Sequence, residues 1–339
     1  LDLNRNFPAG WGTTVLGSGD HPMSEPEIDA LVRAARSRTN VCGYNAFHTA
    51  GGFMLRPSST RPDSTLPPFD IWVFNELGKV GVQHTGYPVH SVYEDLTWDK
   101  TDTMSGAGDD WAYEHLGVFG WTTEFWDIIF HATGKHSPTD VWYVGPTPEQ
   151  ELAVCKWTDT HAPGAYAAWK KFNHPQLGEI EIGGCDPIKT WSNAPASKLR
   201  DEVAPHVHFA IYQALASPRL EIKRANAESL GNGVYKVEIG IANTGWLGTE
   251  ISEWAHKNKI VLPLTAEISG ATLVEGAPRV KLGQLDGRVK FRVSGDAKSD
   301  GTPDRVLHSW LIRGEKGQRV TLTATHQRAG VASAVVELP

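Results

Sequence analysis

Cysteine is scarce in this chain, with three residues in 339: Cys42, Cys155 and Cys185. They follow no C-x-x-C spacing, which argues against a zinc knot or a redox motif of that kind. One disulfide plus a free thiol stays open, so the redox compartment is not decided. Apolar runs of membrane-spanning length are lacking. So is any basic run or stripe: 32 basic residues face 39 acidic ones, for a net charge of −7. A phosphate backbone would find no complementary surface, which speaks against a nucleic-acid partner. An initiator Met and a signal peptide are also missing, and Leu1 falls inside what reads as a strand end, so the expectation is that an upstream part is absent. The length that remains is enough for one large unit and a smaller one. Thirteen Trp is many for this length, and serves a core, an interface or a binding surface.

The stretch Gly106–Phe125, GAGDDWAYEHLGVFGWTTEF, places one carboxylate, Glu124, in an otherwise apolar strand expected over Val118–Phe125. An unpaired charge there would cost several kcal/mol, so Glu124 is either paired or functional. Two other stretches bear on that choice. Leu1–Pro8 alternates and then breaks, which predicts a strand end presenting Asn4, Arg5 and Asn6. Arg offers a planar donor fork matched to a carboxylate and Asn an amide beside it; an Arg tied to a neighbouring acid is the alternative. Val41–His48 is small and apolar before Gly51-Gly52 and predicts a buried strand ending in a histidine, at a site or at a hydrogen-bonded rim.

Other elements follow from caps and periodicity. Ser24 as N-cap, Pro26 and Glu27 predict a helix with Ile28, Leu31, Val32 and Ala35 facing inward. Pro67–Gly86 predicts a second helix through Ile71, Phe74, Leu77 and Val80. A third is expected over Thr147–Phe172, broken at Pro163-Gly164, then a strand over His174–Gly184. A last helix is expected over Leu199–Ala216 on Val203, Val207, Phe209 or Ile211, and Ala214 or Leu215. From Leu220 the pattern alternates in seven short segments (LEIKR, VYKVEIGIAN, KIVLPLTAEI, RVKFRVS, VLHSWLIR, RVTLTATH, ASAVVEL), which predicts a small β-sandwich.

Residues 1 to about 216 resemble the later part of a carboxypeptidase A-like zinc metallocarboxypeptidase. The resemblance rests on DLNRNFP, on FHTAGGFMLRP, on DDWAYEHLGVFGWTTEF, and on the interval of thirteen residues from Trp111 to Glu124. It implies a mixed-sheet α/β catalytic domain over 1–218, N-terminally incomplete, followed by an immunoglobulin-like β-sandwich over 219–339. HPQLGEIEIGG and the helix after it resemble extensions in bacterial relatives that carry such a β-domain. Asn4 and Arg5 would grip the terminal carboxylate of a peptide, His48 would be one ligand of a single Zn2+, and Glu124 the general base. Asp109 falls at the base of the side-chain pocket, where it either selects C-terminal Lys or Arg or caps a turn. The implied partners are peptide or protein C-termini, and the implied compartment is secreted or periplasmic.

The family's other two zinc ligands form an H-x-x-E pair before the NR segment, and the resemblance places them upstream of Leu1; the chain as given would hold zinc poorly. No residue takes the role of the family's mobile tyrosine. Alternatives to the peptidase are a zinc deacylase of acylated amino acids and a non-catalytic carboxylate-binding protein.

Overall fold

The computed structural model describes residues 1–290 and 302–339. They fall into two compact units, one of Leu1–Glu25, Asn45–Trp111 and Gly120–Ile211, the other of Pro26–Tyr44, Ala112–Phe119 and Tyr212–Pro339.

The first unit is built on a mixed sheet of β1 (Tyr44–Thr49), β2 (Phe53–Arg56), β3 (Val89–Ser91) and β4 (Gly120–Phe125), in the order β1-β4-β2-β3. β2 runs parallel to β3 and antiparallel to β4. The parallel pair is joined by the helix Pro68–Thr85, which starts on proline and stops at Gly86, whose φ of 76° a side chain would resist. Gly81 lets this helix lie close to the sheet: a Cβ there would stand 2.7 Å from Met54 Cε. Phe74 and Phe209 meet the fully buried Trp121 edge-on, each at 5.5 Å between ring centroids. Burying three large rings is worth roughly 1.5–3 kcal/mol apiece and makes this the anchor of β4.

Four expectations need correction here. The strand before His48 begins at Tyr44, not Val41, and among the described residues it is an edge strand paired with β4 alone, so Phe47 is 58 % exposed instead of buried. The third helix forms only over Pro148–His161, closed by a Thr147–Gln150 capping box. Beyond Pro163-Gly164 the chain becomes β5 (Tyr166–His174), because β6 (Gly178–Cys185) supplies an antiparallel partner across a short turn. Finally, in the helix Ala196–Leu215 Phe209, one of the expected alternatives, is buried together with His206 and Gln213, while Val203, Val207 and Ile211 are exposed. Contact with Trp121, Tyr87 and Phe125 selects that stripe.

In the second unit the helix Pro26–Arg36 buries Ile28 and Val32. Ser24 lies a residue too early to cap it; its hydroxyl donates to Glu25 and accepts from the Asn6 side chain. The C-terminal part holds β7 (Leu220–Gly231), β8 (Val234–Asn243), β9 (Leu264–Ser269), β10 (Thr272–Leu273), β11 (Arg279–Gly283), β12 (Arg305–Arg313), β13 (Arg319–His326) and β14 (Gly330–Glu337). They form two antiparallel sheets, β10-β12-β8-β7 and β11-β9-β13-β14. Alternate residues of both, among them Val237, Ile239, Ile241, Leu264, Ala266, Trp310 and Leu322, share one apolar cluster. Of the segment expected as the strand RVKFRVS, Arg288–Lys290 is a 3-10 turn and the remainder lies outside the described residues.

Each unit buries a histidine held neutral. Burial lowers the pKa of His206 to about 4, against the opposing charge of Glu202, and neither ring nitrogen has a hydrogen-bond partner among the described residues. Burial also lowers His326 to about 4, helped by Arg328; its Nδ1 accepts from the backbone N–H of Arg328 and Ala329, so a proton there would face two donors. Both pKa values are depressed on folding, so as pH falls below about 6.5 the unfolded chain takes up protons first. Stability is therefore complete above about pH 6.5 and declines towards pH 4, on the order of 3 kcal/mol per histidine. The denaturant midpoint should drop between pH 7 and 4.5, and His206→Phe should remove its share of that drop.

Candidate functional site

The NR segment is a 3-10 turn, Leu3–Arg5, and not the expected strand end, because the Asp2 carboxylate accepts the Asn4 N–H at 2.9 Å and bends the chain. Asn4 Oδ1 accepts from Gly108 N–H at 2.8 Å, Phe7 N–H donates to the Gly106 carbonyl and Gly106 N–H to that of Ala9. Gly106 has φ 75°, and a Cβ on it would sit 2.2 Å from the Arg5 carbonyl oxygen. Only glycine permits this approach, which seats Asn4 and Arg5 beside the short helix Gly108–Trp111 that carries Asp109.

Glu124 lies on β4 opposite Phe53, and His48 lies on the neighbouring β1. His48 Nδ1 stands 3.7 Å from Glu124 Oε1, so the structure brings together these two residues, 76 positions apart in sequence. Burial pushes Glu124 up to about 7, aided by the Asp109 charge and opposed by Arg5. Burial likewise pushes Asp109 up to about 6, offset by the amides of Asp109 and Asp110 and by Arg5. The pKa of His48 is lowered by burial, with Asp2 and Arg5 acting in opposite senses, which favours its neutral imidazole. Glu124 Oε2 and Asp109 Oδ2 are both buried without a hydrogen-bond partner among the described residues. Two buried carboxylates thus interact with each other and with one guanidinium, an arrangement that suits a group exchanging protons near neutral pH.

Arg5 is part-used: Nη1 donates to the Asn4 carbonyl at 2.9 Å and lies 3.8 Å from Asp2 Oδ2. Its side chain is 22 % exposed, so the remaining donors stay reachable from solvent. The residues that follow His48 and Glu124 in the chain, Ala50, Gly51, Trp126, Asp127 and Ile128, line a cavity of about 290 Å³ together with Trp191.

Sequence reasoning missed what holds the end of β4. Tyr87 O–H donates to Glu202 and accepts from the Trp126 N–H, and His131 Nε2 contacts the other Glu202 oxygen at 3.2 Å. Trp126 adopts φ 74°, unusual for a bulky residue, and is held by that bond, by its indole N–H to the Thr190 carbonyl at 2.6 Å, and by stacking on His131. The apolar spacing of the Ala196–Leu215 helix was the available signal: Phe209, one of its alternatives, is buried, but Val203 and Val207 face outward.

A catalytic zinc takes three convergent protein ligands. Among the described residues no group of three or more His, Cys, Asp or Glu side chains is placed to hold a metal ion. His48 and Glu124 alone therefore do not make up a zinc site.

A mixed α/β unit with a buried carboxylate beside a neutral imidazole, near an accessible guanidinium, is equipped for proton transfer next to an anion-binding group. Residues 1–140 match the zinc carboxypeptidase family. Residues 219–337 match a domain family of unknown function, DUF8731. Among solved structures, carboxypeptidase A from Helicoverpa armigera is 25 % identical over 37 % of this chain and 32 % of that one, with a TM-score of 0.30. Thrombin activatable fibrinolysis inhibitor is 25 % identical over 37 % of this chain and 35 % of that one, with a TM-score of 0.31. The chain thus spans about a third of the length of each. No curated protein matches it.

Proposed function

We propose that this protein is a zinc-dependent exopeptidase that hydrolyses the C-terminal peptide bond of peptides or proteins. The observation that carries this reading is the meeting of His48 and Glu124 at 3.7 Å within the electrostatic reach of Arg5. Glu124 takes the proton of the attacking water and delivers it to the leaving amine, for which a pKa of about 7 suits it. Arg5 and Asn4 hold the free carboxylate of the substrate; the Asn4 oxygen accepts from Gly108 N–H, and its amide nitrogen is the donor for that task. Zinc use is what the family implies, and His48 is the ligand this chain contributes from its described residues. The catalytic part is assigned to residues 1–218 and an immunoglobulin-like sandwich to 219–339, the latter as an interaction module.

Asp109, buried with one oxygen unpartnered, pairs in this reading with a basic side chain and rejects apolar ones, which would leave its charge unmatched. The test is release of single C-terminal residues from peptides differing only in that residue, followed by mass spectrometry. Zinc-loaded protein should favour Lys or Arg over Leu, and Asp109→Ala should cut that preference by roughly 10–10²-fold. An unchanged profile would place the selectivity elsewhere, and failure of protein shown to carry zinc to shorten any free-acid peptide would end the exopeptidase reading.

A further inference from the structure

We propose that Cys155 and Cys185 form a disulfide that staples the β5–β6 hairpin to the helix Pro148–His161. Their sulfurs lie 3.2 Å apart, with the Cys185 thiol donating to Cys155 Sγ. Closing to the bonded distance of about 2.05 Å asks for a shift of roughly 1 Å, within side-chain rotation. Both residues are half-buried, so a soluble thiol reagent reaches them. Cys42 is engaged separately, with the Asn40 and Arg328 carbonyls at 3.4 Å.

The fold gives the bond something to do. Most residues of the hairpin are exposed, including Trp169 and Leu177, and an isolated two-stranded ribbon is marginal in water. At its base one backbone bond, Asp186 N–H to the Ala165 carbonyl at 2.7 Å, extends the ladder past the Tyr166–Cys185 pair. On the helix, Val154 packs with Trp126, Ile128, Ile129 and Val141, and Glu151 lines the 290 Å³ cavity. A bond at Cys155 ties the ribbon to that packed wall.

The oxidant is a small-molecule disulfide such as oxidised glutathione. One cysteine thiolate attacks it and expels a glutathione thiolate; the second cysteine, as thiolate, attacks the mixed disulfide and expels the other. Two electrons pass to glutathione, and the two cysteine protons end on the released thiolates or in solvent.

The experiment equilibrates the protein with oxidised and reduced glutathione, blocks free thiols by alkylation, and maps peptides without reduction. The expected result in the oxidised sample is a Cys155–Cys185 linked pair with Cys42 alkylated, and a Tm about 5–10 °C above that of the reduced protein. Cys155→Ala and Cys185→Ser should each lose the oxidant-dependent rise. Full alkylation of both cysteines under oxidising conditions, a bridge through Cys42, or a link that leaves Tm unchanged would overturn the proposal.

Discussion

Glu124→Gln should lower turnover by roughly 10²–10⁴-fold, the usual worth of a positioned general base, while the protein stays folded. Glutamine keeps the shape of the side chain on β4 and loses only the proton-accepting charge. Its effect on stability should run the other way. Burial and the Asp109 charge raise the folded-state pKa of Glu124 to about 7 from 4.5. The folded chain therefore binds more protons than the unfolded one between these values, and the stability this group contributes is complete below about pH 4.5 and lost as pH rises through about 7. The loss is on the order of 3 kcal/mol. The amide carries no such cost, so the variant should match or exceed the parent at pH 8 and show a flatter profile from pH 5 to 8. Denaturant midpoints at both pH values and peptide turnover at one of them read the two effects separately. Retained turnover would remove Glu124 from the base role, and a large loss of stability at pH 8 would mean that its carboxylate is held by a partner.

That contrast reflects how the site was built into the chain. Short segments with strong local rules were legible: the helix Pro68–Thr85 has proline at one end and Gly86 at the other, and β4 shows as an apolar run interrupted by one acid. Asn4, Arg5, His48, Asp109 and Glu124 were legible as candidates because each sits in a compact motif. Pairing over distance was not. Tyr166–His174 carries no mark against helix, and only the partner strand Gly178–Cys185 decides its state. Tyr87 and Glu202, 115 residues apart, meet because the Ala196–Leu215 helix turns His206 and Phe209 inward, which its Val203 and Val207 spacing argued against. The 3-10 turn at Leu3–Arg5 depends on one side-chain bond from Asp2, which alternation of apolar and polar residues does not reveal.

Arg5→Ala should reduce kcat/KM for free-acid peptides by roughly 10²–10³-fold, the loss of a charge-assisted bidentate contact in a partly buried site. The change should fall mainly on KM, because the carboxylate is held alike in ground and transition states and does not take part in bond breaking. Arg5 also supplies the positive charge that opposes the raised pKa values of Glu124 and Asp109, so some loss of kcat is expected with it. A second substrate separates these contributions. Amidating the peptide C-terminus removes the anion without touching the protein, and the parent protein should then fall to the level that Arg5→Ala shows on the free acid. On the amidated peptide, Arg5→Ala should cost little more, since the contact is already gone; what it still costs measures the electrostatic effect on Glu124 alone. If instead the parent cleaves both peptides equally well, the guanidinium does not read the terminal carboxylate. Its bond to the Asn4 carbonyl and its approach to Asp2 would then serve only to steady the turn at Leu3–Arg5.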